Sequence, residues 1–480
     1  MEELLEVGSK AVNYAEKLGA DEAELFLSLE NHTSLKFIGG IFASRGGAVK
    51  GIKGSLIKLA EPWIKKKGVP LITSGIRAGV GVRAVVNKAM GFSSVSSLEE
   101  SQVLAAVEEA VKIAKIRPPD PNWVSLPEPR KPSGQGVFDK RILDLEIDEI
   151  LDLCVNCCVT AGDLDKRVTQ TMAMVSARSL YIGVVNTQGI EVCDKGTFFT
   201  AFISIKAKSG DEETSGGDFL SSRTFNIDLR DISISAAERA LECFSRKALR
   251  EKYVGPVIFE NMSWSELFST IFTYGISALN VQENRSVYKD KIGEQVAEDY
   301  ITVIDDGTLE NGFGTSAVDD EGCPRQKTPI IERGVLRNYL YDNYSAKRDG
   351  KESTGNASRQ RLFGTPSYAN QPSIKPSNLL IMPGKGNLNE LIGEIKEGIL
   401  VKGSLIGALH SNVLTGDFSV TSNNTFKIEN GEVSYPLKPC TVAGNLYEAL
   451  NSVLALGNDL RSFGNIICPS IIVKRIVVST

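Results

Sequence analysis

His32 and His410 are the only two imidazoles in a chain of 480 residues, and neither has a Glu, Asp or Cys at a ligand-like spacing. A hydrolytic zinc site draws on two or three such rings and a Ser or Cys triad on one, so either route needs parts from a partner. Thiols offer little more. Of eight cysteines only Cys154, Cys157 and Cys158 cluster, where Ile150, Leu151, Cys154 and Cys158 fall on one helical stripe. With no second ligand pair in view, the triplet reads as small apolar side chains in a helix core rather than a metal or redox site. Cys468 is a candidate nucleophile, but it needs a neighbouring base or cation, and a buried strand cysteine is the plainer expectation. The acids Asp305–Asp306 and Asp319-Asp-Glu321 have the chemistry for acid–base work or for a hard cation. Their adjoining glycines favour hairpin turns. Gly75, Gly79 and Gly81 enter a strand rather than leave one for a helix, and no Gly-Lys-Ser/Thr follows. They are read as turn glycines, not as a phosphate loop.

The charge balance, 54 basic against 59 acidic residues, disfavours a dedicated nucleic-acid binder. One stretch runs the other way: Arg45–Lys67 carries Lys50, Lys53, Lys58, Lys65, Lys66 and Lys67 against Glu61 alone, beside Trp63. It is read as a solvated face. Glu2, Glu3, Glu6 and Glu16 stand where a signal peptide would need basic and apolar regions, so the expected location is cytoplasmic. No apolar run has the length of a membrane span.

Periodicity supplies the elements that must position these groups. Glu2–Leu18 reads as an amphipathic helix closed by Gly19, followed by strands at Ala23–Leu29, Gly79–Val86 and Gly91–Val95. Ser97-Leu-Glu-Glu100 reads as a capping box opening a helix to Ile116. A helix over Ile147–Ala161 precedes strands Ser179–Val185, Glu191–Asp194 and Thr197–Lys208 with a turn at Asn186–Gly189, then a helix over Ile234–Arg250. A second capping box, Ser263-Trp-Ser-Glu266, is expected to open a helix to Asn280. The pattern predicts an α+β protein: an amino-terminal region over 1–116, a Pro-rich linker over 117–136, a second α+β part over 137–251, and a β-rich, largely antiparallel domain over 252–480.

The most distinctive phrases lie in the last part: Tyr344-Ser-Ala, Ser353-Thr-Gly-Asn356, Thr415-Gly-Asp-Phe418 and Gly444-Asn-Leu446. With the Gly81-Val-Arg83 strand and the Asn186–Gly189 turn, they resemble the TldD/PmbA family over nearly the whole chain. Catalytic members, of the TldD type, carry a His-Glu-x-x-x-His helix that supplies zinc ligands and a general-base glutamate. Registering the chain on Val287-Tyr-x-x-x-Ile-Gly-Glu294 puts Ser269, Thr270 and Tyr274 at those positions. Hydroxyls stay protonated near neutrality and make poor zinc ligands, and threonine is no carboxylate base. The family's third ligand is a carboxy-terminal cysteine, and Cys468 lies near that place; one thiolate cannot hold a catalytic zinc.

The resemblance therefore implies a TldE/PmbA-like subunit without catalytic residues or cofactor of its own. Zinc is expected in a TldD-like partner bearing His-Glu-x-x-x-His, and unfolded or small peptides are the expected substrates. Such a chain would wall a peptide-binding cleft, with Thr354, Gly355, Asn356, Arg359, Gly416 and Asp417 as lining candidates. The glycines would admit a backbone and Arg359 a peptide carboxylate. Equally, these residues could be turns that define the fold. The alternatives are a homodimeric binding or regulatory protein, in line with the family's description as a modulator of DNA gyrase, or a hydrolase built on Cys468 or the acidic clusters.

Overall fold

The computed structural model describes residues 2–39, 68–132, 134–360 and 365–480. The basic Arg45–Lys67 stretch, with Trp63, lies outside the described residues.

The amino-terminal half is organised by one strand. β1 (Glu22–Gly39) pairs antiparallel with β2 (Gly68–Val86) on one side and β4 (Val168–Asn186) on the other. β3 (Ala89–Val95), β5 (Glu191–Ser209) and β6 (Glu212–Ser222) complete a six-stranded sheet in the order β3-β2-β1-β4-β5-β6. One sheet thus joins the segments 1–116 and 137–251. Strand alternation decides its faces. Leu25, Leu27, Leu35 and Phe37 point to one face and are buried. There α1 (Glu2–Lys17) and α2 (Glu100–Ile116) cover Leu25, Leu27, Val80 and Val82, while α3 (Ile147–Leu164) and α4 (Arg230–Leu241) cover Leu35, Phe37, Val175 and Ile203. Cys154 and Cys157 belong to the second of these cores, where burial pushes the Cys157 thiol up to about 11. Each edge strand admits its helix through a glycine. A Cβ on Gly91 would stand 2.0 Å from the Ala110 carbonyl oxygen of α2, and one on Gly216 would stand 2.3 Å from that of Ala236 in α4.

Several local expectations change. Ser97 accepts from the Glu99 amide at 3.1 Å, and α2 starts after Glu99 without a side-chain cap. Ser263 and Glu266 lie inside their helix: the Ser263 hydroxyl donates to the Val401 and Gly403 carbonyls, and Glu266 accepts from the Ser404 hydroxyl and the Leu405 amide. Reciprocal boxes form instead at Glu146/Glu149 and Asn387/Glu390. α4 stops at Leu241, well short of Arg250; Ser245, at φ 64°, turns the chain there. Gly75, Gly79 and Gly81 are not turns but the middle of β2. The Pro-rich segment is a packed strap: Trp123 and Leu126 are buried, and the Trp123 indole N–H and the Leu126 amide both donate to Glu22, at 2.7 and 2.9 Å.

The carboxy-terminal domain begins with β7 (Tyr253–Phe259), a central strand of a nine-stranded sheet. β7 runs parallel to Glu397–Val401 and antiparallel to Ile471–Ser479; the remaining pairs of that sheet are antiparallel. A second, six-stranded sheet includes Val303–Asp306, Lys327–Glu332, Leu379–Ile381 and Ile466–Cys468. Between them runs α5, continuous through Asn261–Leu267, a π-helical Phe268–Phe272 and Thr273–Gly275. Its Trp264, Leu267, Phe268, Ile271 and Phe272 are fully buried, and the Phe268 and Phe272 rings stack at 4.2 Å. No helix among the described residues is long and apolar enough to cross a membrane.

The glycine contacts give a paired prediction. Gly91→Ala forces α2 away from β3 and is expected to cost about 1–3 kcal/mol in urea denaturation. Gly162→Ala, on the exposed side of α3 with nothing within 4 Å of its Cβ, is expected to gain about 0.5–1 kcal/mol.

Candidate functional site

α5 keeps its hydroxyl-bearing face half-buried and its apolar face inside. The Ser269 and Thr270 hydroxyls both donate to the Glu266 carbonyl, at 3.0 and 2.9 Å, and Thr273 donates to the Ser269 carbonyl at 2.5 Å. A π segment shifts the amide register by one residue, and Ser or Thr side chains commonly bond the carbonyls of the preceding turn. Two of the three positions that the register gives to His, Glu and His, Ser269 and Thr270, are thus satisfied by the helix backbone.

A loop from the nine-stranded sheet stands against this helix. Asp417, exposed, accepts from the Thr415 hydroxyl at 2.6 Å and the Asn445 amide group at 2.9 Å, and these bonds hold it below the usual carboxylate range. Asn445 also donates to the Thr415 carbonyl at 2.8 Å and accepts from the amides of Tyr447 and Glu448, capping the helix Leu446–Leu450. Gly416 has φ 90°, and a Cβ there would lie 2.4 Å from the Tyr447 ring. Tyr447 in turn donates to the Ile271 carbonyl at 3.3 Å, and its phenol is raised by burial and by nearby Tyr274. One tyrosine therefore joins the Thr415–Asp417 loop to the Ser269, Thr270 and Tyr274 face.

Thr354, Gly355, Asn356 and Arg359 build a different cluster, at the junction with the amino-terminal sheet. Thr354 bonds the Tyr341 amide and carbonyl, Gly355 takes φ 74° with a Cβ position 2.3 Å from the Pro324 carbonyl, and Asn356 donates to Asp305 at 2.7 Å. Arg359, the candidate receptor for a peptide carboxylate, is fully buried. Its guanidinium pairs with Glu24 of β1 and donates to the Asn370 carbonyl at 2.7 Å. Arg83 of β2 donates to Glu24 at 3.0 Å and to Glu321 at 2.8 Å. The glycines of β2 make this approach feasible: Cβ atoms on Gly79 and Gly81 would meet the Tyr368 ring at 2.6 Å and its carbonyl at 2.2 Å.

The acid pairs belong to this junction. Asp319 forms the hairpin turn expected, accepting from the amides of Glu321, Cys323 and Ala357 at 2.9, 2.9 and 3.0 Å. The turn is buried rather than solvated. Burial pushes Asp305 up to about 6 and Asp319 up to about 8, and raises Asp320 and Glu321. Burial lowers Arg359; Arg83 is held above its ordinary range because Glu24 and Glu321 outweigh desolvation. Glu24 and Tyr447 were not singled out from sequence, and Asn445 stood there only inside the phrase Gly444-Asn-Leu446. For Glu24 a signal existed: an acid inside the apolar run Ala23–Leu29.

Zinc does not fit these residues. The donor set at the family's metal position is two aliphatic hydroxyls and a phenol, with Ser269 and Thr270 already bonded to the helix, and no metal-ligating cluster occurs among the described residues. Cys468 is buried, donates to the Asn261 carbonyl at 3.2 Å, and has its thiol raised by burial. Asn261 lies roughly 12 Å along the helix from Ser269, at about 1.5 Å per residue.

Family models for the PmbA/TldA metallopeptidase domains match in chain order: domain 1 over residues 65–114, the central domain over 140–244 and the C-terminal domain over 251–480. An uncharacterized protein of Methanocaldococcus jannaschii is 34% identical over 86% of this chain and 92% of its own. Metalloprotease PmbA of Escherichia coli O157:H7 is 25% identical over 93% and 94% of the two chains. The crystal structure of TldE from Thermococcus kodakarensis superposes with a TM-score of 0.81 at 25% identity, covering 99% of this chain and 100% of that one. The fold is shared with a Thermotoga maritima protein described as a candidate modulator of a DNA gyrase, at a TM-score of 0.81 and 23% identity over 99% of each chain. By sequence and by fold the chain belongs to the PmbA/TldD metallopeptidase family.

Proposed function

We propose that the chain is the non-catalytic, TldE/PmbA-like subunit of a heterodimeric metallopeptidase that cleaves unfolded or small peptides in the cytoplasm. The observation that carries this reading is the face of α5. Where the family motif has His, Glu and His, the chain has Ser269, Thr270 and Tyr274, and the first two donate to the Glu266 carbonyl. The zinc and the proton-moving carboxylate are then the partner's, a TldD-like subunit with an intact His-Glu-x-x-x-His. Likeness to proteins named metalloprotease TldD homolog and metalloprotease PmbA supports membership of such a pair.

On this reading the chain contributes a wall of the cleft. Gly416 and Asp417 stand at its edge, and Thr354, Gly355, Asn356 and Arg359 act from behind by fixing the two halves of the chain. The strand Asp417–Ser422 pairs with Leu405–Ile406 only at Thr421 and Ser422. An extended peptide could add to such an edge by backbone pairing, which gives affinity with little sequence selectivity.

Cleavage of an unstructured peptide should be measured for the chain alone, for a co-expressed His-Glu-x-x-x-His paralogue alone, and for the pair. Activity confined to the pair and abolished by a chelator is the expected result. Activity of the chain alone would overturn the assignment, and silence throughout would favour a homodimeric binding protein. Within an active pair, Gly416→Ala is expected to lower kcat/KM at least about tenfold while the zinc content stays constant, because the new Cβ displaces Tyr447.

A further inference from the structure

Exposed aliphatic side chains gather on one turn of the nine-stranded sheet. Between the strands Leu405–Ile406 and Asp417–Ser422, Ile406, Leu409 and Leu414 are 60%, 54% and 48% exposed. Ile406 stands opposite Thr421 in the ladder, on the same face as Ser419 and Asp417, while Phe418, Val420 and Ser422 are buried on the other face. The turn Ala408–His410 packs against that strand. Apolar side chains gathered in this way, unlike scattered ones, mark a surface that another molecule covers.

Asp417 supplies the charge at the end of this surface. Its Oδ2 accepts from the Thr415 hydroxyl at 2.6 Å and its Oδ1 from the Asn445 side chain at 2.9 Å, so neutral donors hold the carboxylate in one orientation. Each oxygen keeps a lone pair for a further donor. The turn is closed without that carboxylate. The Asn412 amide donates to the Asp417 carbonyl and the Gly416 amide to the Asn412 carbonyl, both at 2.8 Å, and Asn445 secures the Thr415 carbonyl. Among the described residues no cation pairs with Asp417, nor with Glu448, the exposed acid in the first turn of the helix that Asn445 caps.

We propose that this turn is a cation-selecting subsite, taking a peptide segment whose alkylammonium group meets Asp417 while neighbouring aliphatic side chains cover Ile406, Leu409 and Leu414. The inference rests on the reading of Gly416 and Asp417 as the edge of the cleft, and it names the substrates that edge selects. Charge complementarity decides the occupant. A wholly apolar segment would bury the carboxylate unpaired, and an acidic one would be repelled. An ammonium group instead donates to the lone pairs left on both oxygens. Backbone pairing along the strand is nearly blind to sequence, so selection enters through Asp417.

Binding to the purified full chain tests this without the zinc-bearing partner. Short unstructured, leucine-containing peptides with a labelled, blocked amino terminus carry one central lysine, acetyl-lysine or glutamate, and Kd is read by fluorescence anisotropy. The lysine peptide is expected to bind about fivefold more tightly than its acetylated form at about 0.05 M salt, the glutamate peptide most weakly, with the gap closing near about 0.5 M. Freeing the amino terminus of the acetyl-lysine peptide shows whether a terminal ammonium serves as well as a side chain. In Asp417→Asn the ratio between lysine and acetyl-lysine peptides is expected to fall to about one, whereas Leu414→Ser weakens both alike. Equal affinities in the unaltered chain, no binding of any peptide, or a ratio that survives Asp417→Asn would overturn the subsite. The peptide and salt series on the unaltered chain decide the matter if the variant does not fold. Charge selection by the chain beside an inactive pair would sink the subunit reading alone, and an active pair whose chain ignores charge would sink this inference alone.

Discussion

The arrangement of the two halves depends on the carboxylate of Glu24. It projects from the face of β1 opposite Leu25 and Leu27, has no exposure, and accepts from two guanidinium groups: Arg83 on the neighbouring strand and Arg359 on the other domain. A carboxylate at that depth is strongly destabilising when one partner is removed, by about 3–5 kcal/mol in comparable buried pairs. The surroundings are shaped to keep both partners. Phe26 lies under the Arg359 guanidinium at 4.8 Å, and the bare backbone at Gly79 and Gly81 lets Tyr368 close over β2. A side chain on either glycine would hold the domains apart, so the glycines and the ion pairs are one device.

The same economy holds α5 in place. In a zinc-binding helix the ligands are ordered by the ion and by second contacts. Here the Ser269 and Thr270 hydroxyls bond the helix itself, and the buried aromatic face packs it into the core. Tyr447 then takes over the connecting role, with its ring against Gly416 and its hydroxyl on Ile271. The site retains its shape through packing and hydroxyl bonds, and its exposed chemistry is reduced to Thr415 and Asp417.

Legibility in the sequence followed the range of the interactions. The helices over Glu2–Lys17, Glu100–Ile116 and Ile147–Leu164 were readable because burial repeats along each of them. The two capping boxes were misread because a serine hydroxyl has several nearby partners, and only the fold decides among them: Val401 and Gly403 lie about 140 positions from Ser263. The β2 glycines were misread for the same reason, since an extended glycine that admits Tyr368 is spelled like a turn. Arg359, read as a lining candidate for a peptide carboxylate, instead meets a carboxylate of its own chain, Glu24, 335 positions away. The inference from Ser269, Thr270 and Tyr274 uses residue types alone and draws nothing from the fold.

Phrases adjacent in the family signature divide between two physical tasks. Ser353–Arg359 is inward and charged, and its groups find partners in the other half of the chain. Thr415–Asp417 with Asn445 is outward and locally bonded, and its carboxylate stays ionised and exposed. A buried ionic junction fixes orientation because its geometry tolerates little displacement, whereas an exposed turn capped by its own asparagine keeps its shape whatever approaches it. Neither the Glu24 junction nor the Tyr447 link passes through the Ser269, Thr270 or Tyr274 side-chain hydroxyls, so neither task depends on them.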